Sequence, residues 1–204
     1  MRVTKKVRAK RVKFITDDVS LLLKALRFAA NKHRAQRRND DVGSPYIIHP
    51  IVVAETLWGL GEVRDINTII AAILHDTIED TDTTPDEIKA GFGKEIRALV
   101  EEVTDDKKLP KEVRKQLQID RAGKLSLSAR QIKLADKICN IKDIIDSPPA
   151  HWPLERRLEY ITWARQVVNR IRGCNGSLEL LFSELSEKAI IACRDVEQVL
   201  IEEQ

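Results

Sequence analysis

The run INTIIAAIL, residues 66–74, is apolar on nearly every side of a helix, and it leads straight into HDTIEDTD. A helix without a polar face is one that other helices surround, so this segment asks for a bundle with residues 66–74 inside it. Its end is poor chemistry for such a place. Carboxylates at a helix C-terminus meet the negative end of the macrodipole, and buried carboxylates need a cation. On one helix running from Asp65 through Asp80, the side chains of His75, Asp76, Glu79 and Asp80 share an arc of about 140°, at roughly 100° per residue. Either Lys/Arg side chains or a metal ion must answer them.

The remaining segments also read as helices. Asp17 or Asp18 can cap a first helix, in which Leu22, Leu26, Ala29 and Ala30 recur at helical spacing to about Arg37. Gly43 and Pro45 break the following loop, a second helix runs from Pro50 to Leu60, and the third from Asp65 to Asp80. Pro85 opens a short helical turn, Gly93 precedes KEIRALVEEV, and Pro110 starts a charged helix. SARQIKLADKICNIKDI and LERRLEYITWARQVVNRI follow, separated by Pro148, Pro149 and Pro153, and a last helix or pair reaches Gln204. No run alternates in the manner of a strand and no GxGxxG appears. The fold class is therefore all-α, and 204 residues fit one domain.

Charge narrows the partners. The net charge of +3 hides an asymmetry, because residues 1–13 hold seven basic residues and no acid, leaving the remainder net acidic. Residues 1–16 are expected as a flexible basic arm, and 17–204 as the folded domain with an acidic helical end. No aromatic residue interleaves the basic ones before Phe14, so nucleic acid is not the expected partner. No apolar run approaches the roughly 18 residues of a membrane span, and no secretory signal is evident. Three widely spaced cysteines without a CxxC fit free thiols in a reducing, cytoplasmic setting.

Further candidate ligands stand elsewhere in the chain. His49 lies in PYIIHP at a helix start, while Asp136 and Asn140 lie one turn apart in KLADKICN. Leu134, Ile138, Ile141 and Ile145 make an apolar stripe on that helix, yet Ile132 and Cys139 flank Asp136 on the other side, so Asp136 is not simply solvated. Two imidazoles and two carboxylates suit Mn²⁺, Fe²⁺ or Zn²⁺ and leave positions for water and substrate. With only four histidines, a His-rich dinuclear centre is not expected. His33 falls in line with Leu22, Leu26 and Ala29 and reads as a packed core histidine. Trp58, Trp152 and Trp163 read as packing residues, and Lys107 as a surface lysine.

His49, His75-Asp76 and Asp136, set in HDTIEDTDTT and KLADKICNIKDI, resemble the hydrolase domain of the RelA/SpoT family, a branch of the HD-domain phosphohydrolases. KHRAQRRNDDVGSPYIIHP is similar to the family's opening motif and LVEEVTDDKKLPKEVRKQLQ to its middle. The resemblance runs from about Leu22 to Arg172, leaves no room within the chain for a synthetase domain, and is nearest to the stand-alone small alarmone hydrolases, metazoan members included. It implies an HD-domain bundle of about ten helices and one Mn²⁺ held by His49, His75, Asp76 and Asp136. It also implies hydrolysis of guanosine 3′,5′-bispyrophosphate (ppGpp) to GDP and pyrophosphate, with Glu79 and Asp80 orienting or deprotonating the attacking water.

Arg38, Asn140, Arg156 and Tyr160 match family positions near the nucleotide, whereas Asn39 stands where the pattern usually has Lys. That departure removes a positive charge. It keeps open a second reading, removal of the 2′ phosphate of NADPH at the same metal site. A third reading, a catalytically silent nucleotide-binding protein that uses the basic arm, fits poorly with two carboxylates facing anionic phosphates. None of these residues sets an oligomeric state.

Overall fold

The computed structural model describes the backbone of residues 2–149 and 151–202 and the side chains of 17–149 and 151–194. Ten helices follow in order among them: α1 (Arg2–Lys32), α2 (Ile48–Gly59), α3 (Ile66–Leu74), α4 (Thr77–Asp80), α5 (Pro85–Phe92), α6 (Lys94–Val103), α7 (Lys111–Ala122), α8 (Leu127–Asp146), α9 (Leu154–Arg170) and α10 (Gly176–Glu202). No strand occurs among the described residues, where the only ladder contact is an isolated bridge between Arg37 and Pro45. The side chains of the basic stretch 1–16, expected as a flexible arm, lie outside those described, as does the acidic tail from residue 195 onward.

The apolar run is buried as its pattern requires. Every residue of α3 from Thr68 to Leu74 is buried, and α3 packs on α1, α2, α6 and α8. The second central element is α8, which contacts α2, α3, α6, α9 and α10 and buries Ile132, Leu134, Ile138 and Ile141. Each such aliphatic side chain contributes roughly 1.5–3 kcal/mol on removal from water. Together α2, α3 and α8 form the scaffold on which the ligand candidates stand.

Local signals set the helix starts. Asp65 caps α3 by accepting the Thr68 N–H at 3.0 Å. Thr84 and Glu87 form a reciprocal capping box ahead of α5, and Ser126 caps α8. The expected Asp17/Asp18 cap is corrected, since α1 runs from Arg2 with no Gly or Pro to stop it and both residues lie inside it. α1 also ends at Lys32 rather than near Arg37, because the chain turns back so that the Arg38 N–H meets Ser44 O at 2.8 Å and Tyr46 N–H meets Gln36 O at 3.2 Å. The last segment is one helix, α10.

The expectation of one unbroken helix from Asp65 to Asp80 is also corrected. α3 stops at Leu74, His75 and Asp76 form a turn, and α4 resumes for four residues. Two side chains take carbonyls there: the Thr77 hydroxyl donates to Leu74 O at 2.6 Å, and His75 Nδ1 meets Ala72 O at 2.7 Å. Asp76, at φ −95°, ψ −4°, sits in the sparsely allowed bridge between helix and strand conformations. The acidic pair of residues thus departs from a turn, not from a regular helix end.

Candidate metal centre and active site

Four donors from three elements converge where α2, the α3–α4 turn and α8 meet. His49 enters on the first turn of α2, His75 and Asp76 on the turn, and Asp136 at mid-α8, which its burial among Ile132, Ala135 and Cys139 keeps from bulk water. His49 Nε2 lies 3.1 Å from Asp136 Oδ1 and 4.0 Å from Asp76 Oδ2, while His75 Nε2 lies 3.0 Å from Asp76 Oδ2 and 3.9 Å from Asp136 Oδ1. Ligand atoms of His49, His75 and Asp136 all fall within 4.8 Å of one another. Metal–ligand bonds of about 2.0–2.2 Å place neighbouring donors at such separations.

The donor set fits a divalent cation on a further ground. His75 Nδ1 is committed to Ala72 O, which leaves Nε2 buried and pointing into the centre, 3.0 Å from Asp76 Oδ2 but outside hydrogen-bond geometry. A second ring of polar groups aims the carboxylates: the Tyr46 hydroxyl donates to Asp76 Oδ2 at 2.6 Å, Lys137 to Asp136 Oδ2 at 2.8 Å, and Asn140 to Asp136 Oδ1 at 2.7 Å. Outer partners of this kind fix ligand orientation.

Charge balance is tight. Burial opposes ionisation at Asp76, Asp136, His75 and Lys137. At Asp76 it is overcome by the His75 and His49 imidazoles, and at Asp136 by Lys137 and His49, so both carboxyls stay below the usual carboxylate range. The same carboxylates outweigh burial at His75 and push it up to about 9. Lys137, itself buried, is held above its ordinary value by Asp136 and rests over the Trp163 ring at 4.5 Å.

Beyond the centre, α4 presents Glu79 and Asp80. Glu79 accepts the Asp105 N–H at 3.0 Å and faces Arg114 Nη1 at 3.5 Å, and its carboxyl is raised, chiefly by burial, with the Asp105 and Asp76 charges adding to it while the Asp105 N–H opposes. Asp80 pairs with Lys107, and its carbonyl accepts from Gln36. Lys107 is therefore part of this corner and not a bystander on the surface. His33 is the packed histidine its spacing implies, 2% exposed, against Tyr46 with ring centroids 4.9 Å apart and bonded through Nδ1 to Gln36.

Two pockets flank the carboxylates. One, about 230 Å³, is lined by Arg38, Asn39, His49, Asn140, Asp143 and Tyr160. The other, about 260 Å³, is lined by Glu79, Lys111, Lys115, Arg156, Tyr160 and Trp163, so Tyr160 and Trp152 stand on the wall between them. Arg38, Asn140 and Tyr160 thus share a pocket, whereas Arg156 lies in the adjoining one, stacked over Trp152 at 4.5 Å. Trp152 and Trp163 line cavity wall rather than only filling core. Trp58 is 48% exposed beneath Arg64, a correction to its reading as a packing residue: the end of α2 leaves that face uncovered.

Tyr46, Asp105, Arg114, Lys137 and Asp143 escaped the sequence reading. Tyr46 and Lys137 carried a signal, three residues before His49 and directly after Asp136. Asp143, which pairs with Arg38, carried none, because its partner comes from another part of the chain.

The HD-domain family model matches residues 25–164. Guanosine-3′,5′-bis(diphosphate) 3′-pyrophosphohydrolase MESH1 of Mus musculus is 48% identical over 171 residues, covering 84% of this chain and 96% of that protein. The Homo sapiens protein of the same name is 51% identical over 162 residues, covering 79% and 90%. A solved structure described as a metazoan orthologue of SpoT that hydrolyses ppGpp and plays a role in starvation responses superimposes with a TM-score of 0.81 at 43% identity, covering 82% of this chain and 94% of that one.

Proposed function

Because the chain belongs to the HD-domain family, in the branch of the metazoan SpoT homologues, we propose that it is a metal-dependent hydrolase that removes pyrophosphate from the 3′ position of ppGpp, giving GDP. The observation that carries this reading is the convergence of His49, His75, Asp76 and Asp136, with the buried His75 Nε2 facing both carboxylates, beside the carboxylates of Glu79 and Asp80. In this proposal the four residues hold one Mn²⁺, which when bound lowers the pKa of a water and stabilises charge on the phosphoryl oxygens.

The chain's own groups then do the rest. Glu79, whose carboxyl is raised by burial and so is a stronger base than an exposed carboxylate, accepts the proton of the water that attacks phosphorus. The bond between phosphorus and the ribose 3′ oxygen breaks, and that oxygen takes up a proton through Asp80 and its partner Lys107. Lys137 and Asn140 keep Asp136 aimed at the centre. Arg38, Asn140 and Tyr160 receive the nucleoside, and Arg156 with Lys111 and Lys115 faces its 5′ phosphates.

A second reading, cleavage of the 2′ phosphate of NADPH, is favoured by Asn39, which lines the nucleoside pocket without the positive charge usual in the family pattern. One assay separates the two. Metal-stripped protein is offered ppGpp and NADPH in parallel before and after adding Mn²⁺. Release of GDP and pyrophosphate only with Mn²⁺ supports the first reading; turnover of NADPH alone replaces it with the second. A protein that demonstrably holds metal and turns over neither would sink both.

A further inference from the structure

We propose that Arg114 and Gln118, one turn apart on α7, are positioning residues that orient Glu79, Arg114 directly and Gln118 by way of Asp105. The inference rests on Glu79 being the proton acceptor. A glutamate carries three side-chain torsions, and proton transfer needs its carboxylate fixed to within a fraction of an ångström. α4, a helix of four residues, cannot supply that rigidity by itself.

The bracing comes from the other side of the bundle. One oxygen of Glu79 accepts the Asp105 N–H at 3.0 Å, and the other faces Arg114 Nη1 at 3.5 Å. Asp105 sits in the segment between α6 and α7 and is tied down by Gln118, whose amide donates to Asp105 Oδ2 at 2.5 Å. The same segment supplies Lys107 to Asp80, so both members of the acidic pair are gripped from one connection. α7 is anchored in turn, burying Ile119 and Ala122, while its Lys115 carbonyl accepts from the Trp163 indole at 3.1 Å.

Arg114 lines the pocket beside Glu79, which invites the alternative that it contacts substrate phosphate. The geometry points the other way. Arg114 Nε and Gln118 Oε1 are both buried from solvent and unpartnered, and among the described residues the one hydrogen bond of the Arg114 side chain goes to Glu79. Behind the brace lies a cavity of about 480 Å³, lined by Asp105, Arg114, Gln118 and Lys133.

The test compares Gln118→Leu, Arg114→Met and Arg114→Lys in the full chain with saturating Mn²⁺ and ppGpp as substrate. Expected is a fall in kcat of about tenfold to a hundredfold for Gln118→Leu and Arg114→Met, with KM and Mn²⁺ stoichiometry held. Arg114→Met should also move the acid limb of the rate profile to higher pH, since Glu79 loses the cation 3.5 Å away while the Asp76 and Asp105 charges and the opposing Lys133 charge stay, and Arg114→Lys should restore part of both effects. A raised KM at unchanged kcat makes Arg114 a substrate contact and overturns the proposal, as does an unchanged kcat in Gln118→Leu. If Gln118→Leu fails to fold, Gln118→Glu, nearly the same shape but repelling Asp105, is measured in its place under the same criteria. Glu79→Gln is the control. Full activity in it removes the premise itself, whereas a dead Glu79→Gln beside unaffected α7 variants removes only the positioning role.

Discussion

At the residue scale, the candidate metal ligands and the proposed proton carriers separate by what their loss should do. Asp136→Ala deletes a donor and frees Lys137 as an unpaired buried cation, so Mn²⁺ binding and turnover should vanish together, as read by metal analysis after gel filtration alongside the ppGpp assay. Glu79→Gln should retain the metal and lose about 10²- to 10⁴-fold in kcat. The sign of the pH effect on metal uptake follows from His75. Raised to about 9 in the metal-free protein, it carries a proton at neutral pH that a metal must displace, so Mn²⁺ affinity should climb as pH rises from neutrality toward about 9 and then level off. The same shift means that protonated His75 stabilises the metal-free fold fully below its unfolded value, and that this stability is lost as pH rises through about 9. Calorimetric titration at several pH values reads the first effect, and urea melts of the metal-free protein the second.

At the scale of elements, the break between α3 and α4 is the feature on which the site depends. Its periodicity was legible, since the apolar run is a buried helix, but the interruption was not. Nothing in HDTIED forbids helix, and no Gly or Pro marks the stop. What interrupts it is the Thr77 hydroxyl on Leu74 O and the imidazole of His75 on Ala72 O, contacts that sequence spacing alone does not weigh. Thr77 is fully buried, so Thr77→Val should leave Leu74 O without that donor at a cost of about 1–3 kcal/mol in chemical denaturation. It should also weaken Mn²⁺ binding although no ligand is altered. Unchanged metal affinity in that variant would mean the turn is set by packing rather than by the hydroxyl.

At the scale of the whole molecule, α8 and α10 close the bundle over α2. The turn after α2 comes so near α10 that a Cβ on Gly61 would stand 2.9 Å from both Leu57 O and Leu178 Cδ1, while the Gly61 carbonyl accepts from Asn175 at 2.7 Å. Gly61→Ala should therefore cost about 1–3 kcal/mol in a urea melt through overpacking, with the activity per folded molecule retained because no metal ligand or pocket residue is touched. Among the described residues no helix is long and apolar enough to cross a membrane, in keeping with a surface on which charged residues predominate.

The all-α class, the central place of residues 66–74 and the identity of the ligand candidates were determined by the sequence itself. Apolar periodicity, Gly/Pro punctuation and the rarity of paired His and Asp in an apolar setting are local properties. Tertiary structure alone decided that Asp143 binds Arg38, that Lys137 is buried against Asp136, and that α7 reaches Glu79 through Asp105. Each of those contacts joins residues whose partnership depends on how helices cross or on which way a side chain turns. A charge in the sequence reads as solvated until the opposite charge is seen beside it.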